Sequence, residues 1–295
     1  MADVFSKAIT ANSTKNGSVV TTALRTGGFQ KEQSRAVSGV SESTLDDRFT
    51  ERFDDPTYYG GGGLIKGLVG YFKLDETSGP RENIMGRGLA GRITTMTDNN
   101  TVGSLEGHVS RSGSTGVAAN FIRGNSEYLS VAAADVDGLN PGAESFTLSA
   151  WVYINSASQY VNQNIYGLWK SSGNQRSYKL WYDGGTQKLR FYYSQNGTSS
   201  LYLATTGAIS ADTWYQSLIR YDGATLGFYI DNSSADSIAG VSTLYSSSAD
   251  FILGGTADAS NYLNGRLDNL ALWERALTDE EMASLYNSGA GTILR

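Results

Sequence analysis

From about residue 64 onward, the apolar residues of this chain recur at every second position, in short runs cut by Gly, Asn, Asp and Ser. Period two is the pleat of a strand with one face turned inward, and it argues against a fold of alternating strands and helices. Phe146, Leu148, Ala150, Val152 and Ile154 fall on one face of such a run, and Leu226, Phe228 and Ile230 on one face of another. With 35 Gly, 3 Pro, 18 Tyr and 5 Trp, the composition fits a sandwich or barrel. About 225 residues is within the range of one large sandwich, so one domain is expected here.

The C-terminal end breaks the pattern. Arg266 to Trp273 alternate as a half-buried strand, and Thr278-Asp279-Glu280-Glu281 then forms a capping box. In a capping box the Thr278 hydroxyl accepts from the Glu281 amide while the Glu281 carboxylate reaches back to the Thr278 amide. Met282, Leu285 and Tyr286 supply one apolar helix face, and Gly289 is placed as its stop.

This closing strand and short helix resemble the end of laminin-G-like domains, the concanavalin-A-like jelly rolls of bacteria and their phages. Earlier segments are similar to the family in the right order. Phe72-Lys73-Leu74-Asp75-Glu76-Thr77-Ser78-Gly79 looks like its first strand and turn, and Phe121 to Val131 like its F-x-G-x-x-x-Y-L-x-V strand. Phe146-Thr147-Leu148-Ser149-Ala150-Trp151-Val152 looks like its central strand, followed by Trp214, Tyr221-Asp222-Gly223 and Asp231-Asn232. Tyr215-Gln216-Ser217 departs from the His-Val/Ile-Ala run the family often has. The resemblance covers roughly residues 67–289 and implies an antiparallel two-sheet jelly-roll sandwich with one short C-terminal helix.

Residues 1–63 are different material, giving a division into an arm (1–63) and a jelly-roll domain (64–295). The arm is rich in Ser, Thr, Gly and Asn, with no Trp and only scattered Phe5, Phe29, Phe49 and Phe53. Too little apolar surface is present to offset the entropy of ordering, which predicts an extended or disordered arm when alone. Gly60 to Gly63 read as a flexible joint. The favoured use of such an arm is as an assembly anchor, ordered by contact with other virion proteins or with copies of this chain.

No charged leader followed by an apolar run opens the sequence, no run of about 18 apolar residues occurs, and Cys is absent. Laminin-G-like domains are mostly extracellular, and a phage product made in the host cytoplasm and released by lysis reconciles that with the missing export signal. The net charge of −6 and pI near 4.9 argue against nucleic-acid binding, and no membrane insertion is expected. The only histidine, His108, reads as a solvated loop residue rather than a general base. Glucanases with this jelly roll place carboxylates as E-x-D-x-x-E on one strand, a pattern this sequence lacks. Asp75-Glu76 and Asp279-Glu280-Glu281 fit a turn and a helix start instead.

Two candidate sites follow. The resemblance implies a structural calcium, with Asp268 as ligand and Asp75, Glu76, Gly124 and Asn125 as companions; oxygen-only ligation would suit Ca²⁺. Alternatively, Asp268 caps a ladder end. The second candidate is aromatic: Trp151 and Tyr153 point opposite to the Phe146–Ile154 core set, and Trp181 and Tyr192 alternate likewise. Such rings suit sugar C–H faces, a subunit contact, or packing under loops. The expectation is a non-enzymatic virion protein of a tailed phage (capsid decoration, head fibre or tail appendage) whose oligomeric, lectin-like head binds host glycans weakly. A free bacterial carbohydrate-binding module is the alternative, and a polysaccharide-cleaving enzyme a third.

Overall fold

The computed structural model describes residues 7–12, 19–24, 62–84, 95–109, 116–136 and 139–294, and the alternating runs Phe146–Ile154 and Leu226–Ile230 lie in strands there. The chain divides into two units, Met1–Gly60 and Gly61–Arg295. In the first, strands β1 (Lys7–Asn12) and β2 (Val19–Leu24) pair antiparallel, Lys7 opposite Leu24. Val19, Val20, Thr21 and Thr22 are β-branched residues that favour a strand. The rest of the predicted extended arm lies outside the described residues.

The second unit opens with a four-residue helix, α1 (Gly62–Ile65), and continues with short strands: β3 (Leu68–Phe72), β4 (Arg81–Glu82), β5 (Thr95–Asn99), β6 (Gly103–Glu106), β7 (Val117–Phe121) and β8 (Tyr128–Val131). Longer strands follow: β9 (Phe146–Ile154), β10 (Gln163–Lys170), β11 (Gln175–Asp183), β12 (Lys188–Gly197), β13 (Leu201–Ala204), β14 (Trp214–Tyr221), β15 (Thr225–Ile230) and β16 (Ser233–Ala239). Then come β17 (Phe251–Leu253), β18 (Gly265–Trp273) and helix α2 (Asp279–Tyr286).

One sheet has the order β13-β12-β11-β10-β17-β8-β5-β4, the other β16-β15-β14-β9-β18-β7-β6, with β3 also pairing β18. All pairings are antiparallel, and the two sheets form a sandwich. Phe146, Leu148, Ala150, Val152 and Ile154 meet Tyr166, Tyr178, Leu180 and Phe191 between them. Leu226 and Phe228 join the same core, with Ile230 at its margin. Turns use the residues their geometry demands: Asp231 and Asn232 both take positive φ (50° and 59°), as a tight two-residue hairpin turn requires.

The capping box forms as read: the Glu281 amide donates to Thr278 Oγ1 at 3.3 Å, and the Thr278 amide donates to Glu281 Oε2 at 2.9 Å. The helix stops at Asn287 (φ 50°) rather than at Gly289, since Asn tolerates the left-handed region. Met282 and Leu285 bury against Leu64, Leu68, Tyr71, Leu218 and Trp273, so α2 covers the outward face of β3, β18 and β14, and its Tyr286 reaches Trp151 of β9. Hence β18 is buried on both faces over most of its length.

Of the glycine run read as a joint, Gly60 and Gly61 lie outside the described residues, and Gly63 is held in place. It lies in α1, a side chain there would collide with Glu281, and its carbonyl accepts from Arg275. Arg275 also donates to Glu281 Oε2 (2.6 Å) and Oε1 (2.8 Å) and to the Lys66 carbonyl (2.6 Å). This forked, charge-assisted clamp joins the start of the unit to α2. Arg275→Lys, which cannot reproduce the fork, is expected to cost about 2 kcal/mol in urea unfolding. A loss below a few tenths would show that solvent screens the clamp.

Candidate functional site

On the first sheet, alternation sends Tyr178, Leu180 and Tyr182 of β11, and Leu189, Phe191 and Tyr193 of β12, into the core. It sends Lys179, Trp181, Asp183, Arg190 and Tyr192 to the outer face. The register sets Gly167, Lys179, Tyr192 and Tyr202 in one cross-strand row, with Trp181 opposite Arg190 beside it. Gly167 is required: a Cβ there would lie 2.7 Å from the Lys179 Cα. Trp169 meets Tyr192 edge-on at 6.2 Å, as does Trp181 at 6.5 Å, and Tyr192 lies 5.2 Å from Tyr202. Tyr202, on the edge strand, is 50 % exposed, while Trp181 and Tyr192 are half-buried.

Charge is threaded through these rings. The Lys179 ammonium lies 4.2 Å from the Trp181 ring centre, 4.9 Å from Trp169 and 5.3 Å from Tyr192. Burial pushes its pKa down to about 8, with Asp258 opposing that shift. The Arg190 guanidinium lies over Tyr202 at 4.9 Å and pairs with Asp183 at 2.5 Å. Thus Trp181 and Tyr192 share a face, as read from the sequence. Trp169 and Tyr202 complete the cluster, and only the strand pairing reveals them.

Trp151 and Tyr153 lie on the other sheet. Trp151 is 3 % exposed, with the His108 ring 3.8 Å away and Tyr286 stacked at 5.9 Å. The chain after α2 and the loop before β7 cover it, so Trp151 is a packing residue and not a surface contact. Tyr153 is half-buried in a row with Arg266 (4.5 Å) and Trp214 (5.3 Å), and its hydroxyl donates to Asp212 at 3.2 Å. His108 is not solvated as expected either: its Nε2 bonds the Gly289 carbonyl at 2.6 Å, and burial lowers its pKa.

Of the residues assigned to calcium, Asp75 comes close enough to Asp268 to act on its charge, but Glu76, Gly124 and Asn125 are engaged elsewhere. Asp268, 1 % exposed, accepts on Oδ2 from the His108 and Val109 amides (2.8 and 3.0 Å) and on Oδ1 from Asn269 Nδ2 (2.6 Å). Burial pushes its pKa up to about 7 against the pull of those donors, and Asp75 adds to the rise. Glu76 accepts from the Glu82 amide (2.8 Å) and faces Arg81. Gly124 and Asn125 sit in a 3-10 turn after β7, whose last residue pairs with Gly265 at the start of β18, while Asn269 beyond Asp268 bonds Lys73. Asn125 is bonded to Glu127. N–H donors, not a ring of oxygens, surround Asp268, and the described residues contain no group of three or more His, Cys, Asp or Glu able to hold a metal. The donor set does not fit Ca²⁺.

A two-sheet jelly roll with a capped closing helix and an aromatic outer face is a lectin-like domain. The sequence profile of Laminin_G_3, described as the concanavalin A-like lectin/glucanases superfamily, matches residues 123–283, and the chain belongs to that family. No curated protein matches it in sequence. Among solved structures it is similar to domain 4 of AbnA, an extracellular arabinanase from Geobacillus stearothermophilus determined with arabinotriose. There the TM-score is 0.54 at 15 % identity, over 76 % of this chain and 98 % of that domain. The receptor-binding domain of a botulinum neurotoxin C/D mosaic serotype gives 0.51 at 12 %, over 75 % of this chain and 51 % of that one. A Trypanosoma rangeli sialidase gives 0.51 at 17 %, over 77 % and 34 %. The chain therefore spans about half of the neurotoxin domain and a third of the sialidase, and the likeness is one of fold.

Proposed function

We propose that residues 64–295 are a non-catalytic, saccharide-binding head, and that the outer face of β10–β13 is its binding surface. The observation that carries this reading is the cluster of Trp181, Tyr192 and Tyr202 on one sheet face, edged by Lys179 and the Arg190–Asp183 pair. Flat rings accept sugar C–H faces, and the flanking charges accept and donate to hydroxyls. The surface is open, so each head binds weakly and useful adhesion needs many copies.

The setting that best joins such a head to a polar N-terminal arm is the surface of a tailed-phage virion. There the chain serves as capsid decoration, head fibre or tail appendage, anchored through residues 1–63 and oligomeric, after synthesis in the host cytoplasm and release by lysis. The full-length match to an arabinanase domain favours a second reading, a bacterial carbohydrate-binding module. Deleting residues 2–60 discriminates: the head should stay folded yet no longer join its particle, whereas a free module loses nothing.

The binding reading is tested on a glycan array with the head displayed multivalently. Tyr202→Ala and Trp181→Ala should each weaken the best signal about tenfold, with Tyr202→Ala leaving the melting temperature unchanged. A blank array would leave the head without a saccharide role.

A further inference from the structure

Lys179 is held as a structural cation would not be. Its neighbours on that face donate to protein acceptors: Arg176 to the Gly197 and Thr198 carbonyls, Lys188 to the Thr206 carbonyl, Arg190 to Asp183. Lys179 has only the three rings; no described residue accepts a hydrogen bond from it. Rings attract the charge but leave its three N–H donors unused. Its nitrogen is not among the sealed, unpartnered side-chain atoms of the fold, so it keeps contact with solvent.

The nearby carboxylates are committed elsewhere. Asp258 accepts from the Ser171 amide (2.6 Å), the Ser172 amide (3.3 Å) and Ser172 Oγ (2.8 Å). Asp183 holds Arg190 (2.5 Å), the Gly185 amide (3.0 Å) and Thr186 Oγ1 (2.9 Å). A cation half withdrawn from water, walled by rings and lacking a counter-ion in contact, is prepared for an anion brought by a ligand. An ion pair formed there is screened less than one on open surface.

We propose that the ligand of this face is an acidic saccharide, its carboxylate paired with the Lys179 ammonium and its ring against the neighbouring aromatic side chains. This rests on the saccharide-binding reading above and names the ligand class for it. The chain's net charge of −6 works against unspecific attraction of polyanions, so a preference for acid would report this local cation.

The test is calorimetric titration of the full chain with tetragalacturonate and with its methyl ester, which keeps the ring and removes the charge. The acid is expected to bind at least about tenfold tighter than the ester. Lys179→Met, which leaves an apolar stem among the rings, should bind both forms as the wild type binds the ester; Lys179→Gln serves if the Met variant fails to fold. Equal wild-type affinity for acid and ester overturns the inference and leaves the saccharide reading standing; binding of neither also overturns the inference, and the glycan array then decides the saccharide reading by itself. Retained acid preference in both variants would place the recognition elsewhere, and equal binding of polyglutamate would reduce it to charge alone; either result overturns the proposal.

Discussion

Trp151→Ala is expected to destabilise the Gly61–Arg295 unit by about 3–5 kcal/mol and to leave saccharide binding by the folded fraction unchanged. The indole fills the layer between the β9–β14–β18 face and the chain that follows α2. The His108 ring lies tilted against it at 3.8 Å, Tyr286 stacks on it at 5.9 Å, and a Cβ on Gly291 would sit 3.1 Å from its Nε1. Truncation removes the transfer energy of a large ring and leaves a cavity whose walls, a sheet and a capped helix, cannot readily close. Urea unfolding should show a lower midpoint at an unchanged slope. Tyr202→Ala should do the reverse, costing binding and little stability. A Trp151→Ala protein of normal stability that no longer bound saccharide would make Trp151 a contact residue and overturn this account of the layer.

Trp151 also marks where sequence reasoning stops. Strands and their inward faces were legible, because period two is local and one face is buried. So was the capping box, whose donors and acceptors lie within four residues. The covering of an outward face is not local. Trp151 and Trp181 sit in equivalent alternating runs, yet the chain after α2 returns over the first and leaves the second partly open. No feature of residues 146–154 encodes that return. Gly63 was opaque for the same reason: a glycine run reads as a joint until Glu281 and Arg275, more than 200 positions away, are seen packed on it. Half of the aromatic cluster was visible in the spacing of Lys179, Trp181, Arg190 and Tyr192. Trp169 and Tyr202 come from neighbouring strands, so finding them needed the register.

Asp268 should make the stability of this unit depend on pH with a sign opposite to that of a salt-bridged carboxylate. Its pKa stands at about 7 in the folded state against an ordinary 3.8, because burial outweighs three hydrogen bonds. Below pH 4 the group is protonated in both states and costs nothing. Between pH 4 and 7 the unfolded chain ionises first, so the folded state is progressively penalised, by a total on the order of 4 kcal/mol. His108, whose pKa is lowered by burial, opposes this below its usual 6.5, so the raw profile mixes the two. The comparison with Asp268→Asn separates them, since His108 contributes to both proteins. Asn keeps an acceptor for the His108 and Val109 amides and carries no charge. It should therefore be the more stable protein at pH 7.5 and lose that advantage by pH 4.5, a swing of at least about 2 kcal/mol in the difference curve. A flat difference would mean that Asp268 titrates normally despite its burial. If Asp268→Asn were instead destabilised at pH 7.5 while EDTA lowered the wild-type melting temperature by the same amount, the carboxylate would be serving a cation, and its bonds to the His108 and Val109 amides would have to give way to oxygen ligands.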